Sequence, residues 1–255
     1  MYIENELKNI AQRLFDEKIC LHPLSDRDIA EVYRYYGMLE PCGELMRRLS
    51  DIEINLEEIS NDAEHAAGTV KESILRCADS FKSLIDDWNE SNSKIGYSFS
   101  VGKSDISRMY QLFSQMTETL TAELGILGEA CELLSETALQ TKACSASFLE
   151  IYTETRLAFY AASLNRDKEN ILSCRAVSMQ AHDSSKESNA KALRYISISQ
   201  SGNSALSVIN SVISETAVNF SAYELCRTIS LSAVVNIIIR GIEALKHIAS
   251  SIKLT

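Results

Sequence analysis

The sequence predicts an all-α fold: an elongated antiparallel bundle of long coiled-coil-like helices with a short β-like tip. Three observations favour it. The only two prolines are Pro23 and Pro41, so nothing beyond them interrupts a helix as strongly as proline does. Uncharged, largely apolar positions recur at alternating intervals of three and four residues, which is typical of helices that pack against each other. The composition, 45% hydrophobic and 24% charged, is sufficient for a packed core.

Residues 1–40 are predicted to form an N-terminal helical pair. The first helix has an apolar face at helical spacing, made of Ile3, Leu7, Ile10 and Leu14. Ser25 is placed to cap a second, short helix, and Gly37 is a natural stop for it.

The remaining residues, 41–255, are predicted to form one continuous bundle domain. Its first long helix carries a charge-free seam at Leu45, Leu49, Ile52, Leu56, Ile59, Ala63, Ala66, Val70, Ser73, Cys77, Ser80 and Leu84. Gly68 weakens this helix by about 1 kcal/mol relative to alanine.

A change of period separates this helix from the next. Apolar side chains alternate with glycine and serine at Ile95, Tyr97, Phe99 and Val101. Alternation with a period of two indicates a strand, and a single strand needs a partner. We therefore predict an interaction tip at residues 95–101.

The longest helix is predicted over residues 106–162 and would measure about 85 Å at a rise of ~1.5 Å per residue. Its charge-free seam comprises Ile106, Tyr110, Phe113, Thr117, Leu120, Leu124, Leu127, Cys131, Leu134, Ala138, Thr141, Ser145, Phe148, Tyr152, Thr155, Phe159 and Ala162. Gly125 and Gly128 predict a close approach of another helix.

The last third of the chain is predicted as two further helices. The first covers residues 169–199, with a possible break at 182–185. A break at 201–203 then precedes a long helix over 206–252, whose seam slips register near Tyr223.

Charge is scarce in part of this region. Between Tyr195 and Ile239 the only charged side chains are Glu215, Glu224 and Arg227. Serine and asparagine fill the polar positions instead, and such small groups can face water, another protein surface or, after rearrangement, lipid.

No catalytic, cofactor-binding or metal-binding residue is predicted. Cys20, His22 and Cys42 lack the fourth ligand that tetrahedral zinc requires. Gly102, Lys103 and Ser104 resemble the end of a phosphate-binding loop but lack its glycine spacing. The acids Glu129, Glu132, Glu136, Glu150 and Glu154 lack the inward Glu-x-x-His pairs of a di-iron bundle. We expect no cofactor.

Charge limits the possible partners. A net charge of −10 argues against nucleic acid, which requires a cationic surface. The expected partner is the protein itself or another helical protein, with a membrane possible only after a conformational change. The N-terminus lacks the basic-then-apolar layout of a secretory signal, so we expect a cytoplasmic protein, or one exported without a classical signal peptide.

Three functions remain open. The first is a non-enzymatic interaction or assembly protein that acts through its long amphipathic helices. The second is a membrane-acting component of a helical pore-forming toxin, because long helices with an apolar tongue at residues 95–101 resemble the general plan of helical pore formers. The third is an enzyme without a recognisable motif.

Overall fold

The computed structural model describes residues 42–92, 103–164, 168–226 and 231–254. These residues form four helices: α1 (Cys42–Asn92), α2 (Lys103–Leu164), α3 (Lys168–Cys226) and α4 (Leu231–Ser251). Only residues 252–254 among them are not helical, which confirms the predicted all-α class. The N-terminal pair at 1–40 and the tip at 95–101 lie outside the described residues.

The predicted seams form the core. In α1 every seam position is buried or half-buried, and Ala63, Val70 and Cys77 are fully inaccessible. The seam of α2 is buried or half-buried at every position except Tyr110. That ring is 47% exposed yet lies 5.4 Å, between ring centroids, from Phe220 of α3. The uncharged heptad-like pattern therefore correctly identified the packed faces.

The described residues divide into two compact units. The first unit contains residues 42–60 of α1, 139–164 of α2 and 168–193 of α3. Its core comprises Leu45, Leu49, Leu56, Ile59, Cys144, Phe148, Ile151, Val177 and Ala181.

Hydrogen bonds and ring contacts fix the helix directions in the first unit. Ser145 and Ser185 each donate to the other's backbone carbonyl, at 2.9 and 3.0 Å. The rings of Tyr152 and His182 stack with centroids 4.7 Å apart. Because the contact moves up α2 as it moves down α3, these two helices run antiparallel. On α1, Arg48 pairs with Glu154 of α2 at 3.2 Å.

The second unit contains residues 61–92 of α1, 103–138 of α2, 194–226 of α3 and 231–254, and is a four-helix bundle. At one level of this unit, Arg194 of α3 donates to both carboxylate oxygens of Glu64 at 2.7 and 3.1 Å, and to the carbonyl oxygen of Lys253 at 3.0 Å. At another level, the Phe220 ring lies 6.0 Å from the Trp88 ring. These contacts make α1 and α3 parallel.

Two predicted breaks in α3 are wrong, because this helix continues through residues 182–185 and 201–203. Small polar residues at these points lie at helix contacts rather than in loops. His182 stacks on Tyr152, and Gly202 is buried against α1 and α2. The described helices instead end and restart between Cys226 and Leu231, close to the register slip predicted at Tyr223.

Candidate interaction surface

The most unusual surface of the second unit is an exposed face of α3 that carries almost no charge. We call it the serine face. It comprises Gln200, Asn203, Ser204, Ser207, Asn210, Ser211, Ser214, Val218 and Ser221, all exposed. The spacing of three and four residues keeps these side chains on one side of the helix, opposite the core residues Ala205, Ile209 and Thr216.

Glu215 is the only charged residue at an exposed position between Ile196 and Ala222. The outer face of α1 in the same unit is a useful contrast. Its exposed positions include the charged residues Asp62, Glu72, Arg76, Asp79, Lys82, Asp86, Asp87 and Glu90. The low charge of the serine face is thus a property of this helix face and not of the whole unit.

Several hydroxyl groups along this part of α3 are hydrogen-bonded within the helix. Ser204 donates to the carbonyl oxygen of Gln200 at 2.9 Å, and Ser201 donates to that of Ser197 at 2.9 Å. Ser211 donates to the carboxylate of Glu215 at 2.7 Å. Because the hydroxyls of Ser204 and Ser211 already have acceptors, covering these two donors with another surface leaves neither of them unsatisfied.

Open space is present at the two glycines predicted to lie at a close helix approach. A Cβ built on Gly125 or Gly128 would meet nothing within 4 Å. The hydroxyl oxygens of Ser135 on α2 and Ser199 on α3 lie 2.9 Å apart. Gly128 is about two turns before Ser135 and therefore lies on the same side of α2. No described residue fills this space, so the predicted close approach would need a helix from elsewhere.

The close approaches within the described chain lie at other glycines. A Cβ on Gly202 would lie 2.3 Å from the sulfur of Cys131, and one on Gly241 would lie 2.5 Å from Val212 Cγ2. No local pattern indicates the first contact, since Gly202 lies in a serine-rich run that resembles a loop.

The cysteine thiols are the side chains in the described helices with the most reactive chemistry, and most of them are buried. Among the described cysteines, Cys42, Cys77, Cys131 and Cys144 are free thiols. Burial raises the pKa of Cys77 and of Cys131 to about 11, with Glu123 and Glu132 adding to the effect at the two sites respectively. A thiol with so high a pKa is a poor nucleophile near neutral pH. Within the described ranges, no group of three or more His, Cys, Asp or Glu side chains is arranged to hold a metal ion.

The predicted tip and the glutamates of α2 are the other features noted in the sequence. The predicted tip residues Ile95, Tyr97, Phe99 and Val101 lie outside the described residues. Of the glutamates noted along α2, Glu129, Glu132, Glu136 and Glu150 are exposed, and Glu154 pairs with Arg48. They are not brought together by the fold of either unit.

The chain matches no protein-family model, no curated protein and no solved structure. Among the described helices, none has the length and apolarity needed to cross a membrane. The serine face of α3 is therefore the feature from which a function can be inferred.

Proposed function

We propose that this protein is a non-enzymatic assembly protein that associates with a second copy of itself, or with another helical protein, through the serine face of α3. The observation that carries this proposal is the exposed helix face between Ile196 and Ala222, on which Glu215 is the only charged residue. Depletion of charge is the compositional mark of the buried centre of protein interfaces.

The chemistry of the face favours a helix as the partner. Small side chains such as those of Ser204, Ser207 and Ser211 allow two helix backbones to approach closely. The hydrogen bonds that Ser204 and Ser211 make within α3 reduce the cost of removing these two side chains from water. A partner helix can also use the open space at Gly125 and Gly128.

Two charged substitutions test the proposal. Ser207→Arg and Ser214→Arg place a long cation in the centre of the serine face, where both serines are exposed. We expect helical content and the thermal midpoint to remain unchanged, while association at micromolar concentration, measured by sedimentation or light scattering, weakens at least tenfold. Association should weaken because an unpaired arginine charge must be desolvated when the interface forms.

Ser83→Arg is the matched control, because Ser83 is equally an exposed serine but lies on the charged outer face of α1. Association of this variant should equal that of the wild type. A wild-type protein that stays monomeric at high concentration and binds no helical protein would contradict the proposal, and so would equal weakening by Ser83→Arg and Ser207→Arg.

A further inference from the structure

The outer face of α3 in the first unit carries large apolar side chains that are open to solvent. Leu172, Met179 and Leu193 are 67%, 58% and 60% exposed. They belong to a set of exposed positions that recur at intervals of three and four residues, which is the spacing of a coiled-coil seam. We call this set the outer seam, and it comprises Leu172, Ala176, Met179, Asp183, Lys186, Ala190 and Leu193.

The described helices of the first unit contact other sides of α3. Ser184 donates to the carboxylate of Glu53 on α1 at 3.0 Å, and His182 stacks on α2. Val177 and Ala181 lie in the core between these two contacts. At ~3.6 residues per turn, the outer seam lies on the side of α3 opposite Val177 and Ala181. None of the described helices of this unit covers it.

The two charged residues of the outer seam are an acid and a base near its middle. A charge that is buried at a helix contact needs an opposite charge as its partner. A second copy of α3 can supply both partners if it packs antiparallel, with a two-fold axis that passes between Asp183 and Lys186. Each aspartate then lies opposite the lysine of the other copy, so two identical ion pairs form.

Side-chain size follows the same symmetry. The axis that pairs Asp183 with Lys186 places Met179 opposite Ala190 and Leu193 opposite Ala176. Each large side chain therefore meets a small one, which allows two facing helices to interdigitate.

Other arrangements of the two helices lack this match. A parallel pair in register places Asp183 against Asp183 and Lys186 against Lys186, so like charges meet. Sliding the antiparallel copy by seven residues places Asp183 against Met179 or Leu193, where a charge faces an apolar side chain. The outer seam is therefore complementary to itself in one orientation and one register.

We propose that the outer seam is a second self-association surface, occupied by the antiparallel α3 of another copy and held in register by reciprocal pairs of Asp183 and Lys186. It goes beyond the function proposed for the serine face, which lies in the other unit. The seam covers about 32 Å of one helix, and its central charges must be desolvated when it pairs. We therefore expect a weak contact, with a dissociation constant of about 0.1–1 mM.

Sedimentation equilibrium of Ser207→Arg at concentrations up to about 1 mM tests this contact without the contribution of the serine face. Adding Asp183→Lys makes all four central side chains cationic and should weaken association at least tenfold. Adding Lys186→Asp makes all four anionic and should weaken it equally. The two changes shift the net charge in opposite directions, so a loss shared by both cannot come from net charge.

The reciprocal variant Asp183→Lys/Lys186→Asp restores two opposite pairs and should return association to within about threefold of the background. Glu58→Lys is the control, because Glu58 is an exposed acid on α1 of the same unit, and it should not weaken association. Circular dichroism checks that every variant remains helical.

Three results would overturn the proposal: no association of Ser207→Arg at the highest concentration, single variants that associate like the background, or no rescue in the reciprocal variant. Failure of the serine face would appear elsewhere, as equal association of wild type and Ser207→Arg at micromolar concentration. The two proposals can therefore fail separately.

Discussion

At the scale of single residues, the contact between α2 and α3 in the second unit depends on the absence of a side chain at Gly202. A Cβ there would lie 2.3 Å from Cys131 Sγ and 3.1 Å from Val70 Cγ1. On the same contact, Ser199 donates to the carbonyl oxygen of Cys131 at 2.9 Å. Close backbone approach and an interhelical hydrogen bond therefore occur together at one level of the bundle.

Gly202→Ala should lower the free energy of unfolding by about 1–3 kcal/mol, because the added methyl overpacks a buried contact. Gly68→Ala is the control: a Cβ there meets nothing within 4 Å, so the change should raise stability by about 0.5–1 kcal/mol. Chemical denaturation measures both. Removing the sulfur with Cys131→Ala should relieve most of the cost of Gly202→Ala, and a strictly additive double variant would contradict this account.

The buried thiol of Cys131 predicts a pH dependence. Burial raises its pKa from 9.0 to about 11, so the folded state holds the proton more tightly than the unfolded state. Its contribution to stability is complete below pH 9 and is lost as the pH rises toward 11. The gap in unfolding free energy between wild type and Cys131→Ala should therefore shrink by about 2–3 kcal/mol across this range. A constant gap would contradict the raised pKa.

At the scale of elements, the seams of α1 and α2 could be predicted because each is long, uncharged and regular. The continuity of α3 through residues 182–185 and 201–203 could not be predicted. Serine, glycine and aspartate are typical of loops when only local sequence is considered. In α3, however, Gly202 and His182, which lie within such runs, are placed where a neighbouring helix requires a small or a stacking side chain. Tertiary contact outweighs local preference at Gly202 and at His182, and no local pattern carries that information. The serine face, by contrast, was visible as a shortage of charge.

Neighbouring positions on α2 give a sharp test of the seam. Leu127 is fully buried and Ile126 is 41% exposed. Leu127→Asp should reduce the unfolding free energy by at least ~3 kcal/mol, because it buries a carboxylate with no partner. Ile126→Asp should cost less than about 1 kcal/mol. Thermal and chemical unfolding followed by circular dichroism compare the two, and equal effects would remove Leu127 from the core.

The tip at residues 95–101 remains a prediction. Replacing Tyr97 and Phe99 by serine removes the largest side chains of its apolar face. If the tip serves interaction, the double variant should keep the wild-type thermal midpoint and lose self-association, or lose liposome leakage if the pore-former alternative holds. Ser98→Ala/Ser100→Ala on the opposite face is the control. A lowered midpoint with intact association would instead indicate a tip packed on its own chain.

At the scale of the whole molecule, net charge and the proposed interface act in opposite directions. Each copy carries a net charge of −10, so two copies repel each other at low ionic strength. The serine face carries only Glu215 at its edge among exposed charges and offers no cation to offset that repulsion. The proposed association through this face would therefore depend on close packing of small side chains and not on ion pairs.

This balance predicts the effect of salt. Raising the ionic strength from 20 to 500 mM shortens the screening length from about 20 Å to about 4 Å, which suppresses the repulsion between copies but leaves packing contacts intact. Self-association measured by sedimentation equilibrium should therefore strengthen severalfold with salt in the wild type. In Ser207→Arg it should stay weak at both salt concentrations, because the arginine still has to be desolvated. Association that weakens as salt is added would mean that ion pairs join the copies, and would move the interface from the serine face to a charged face such as that of α1.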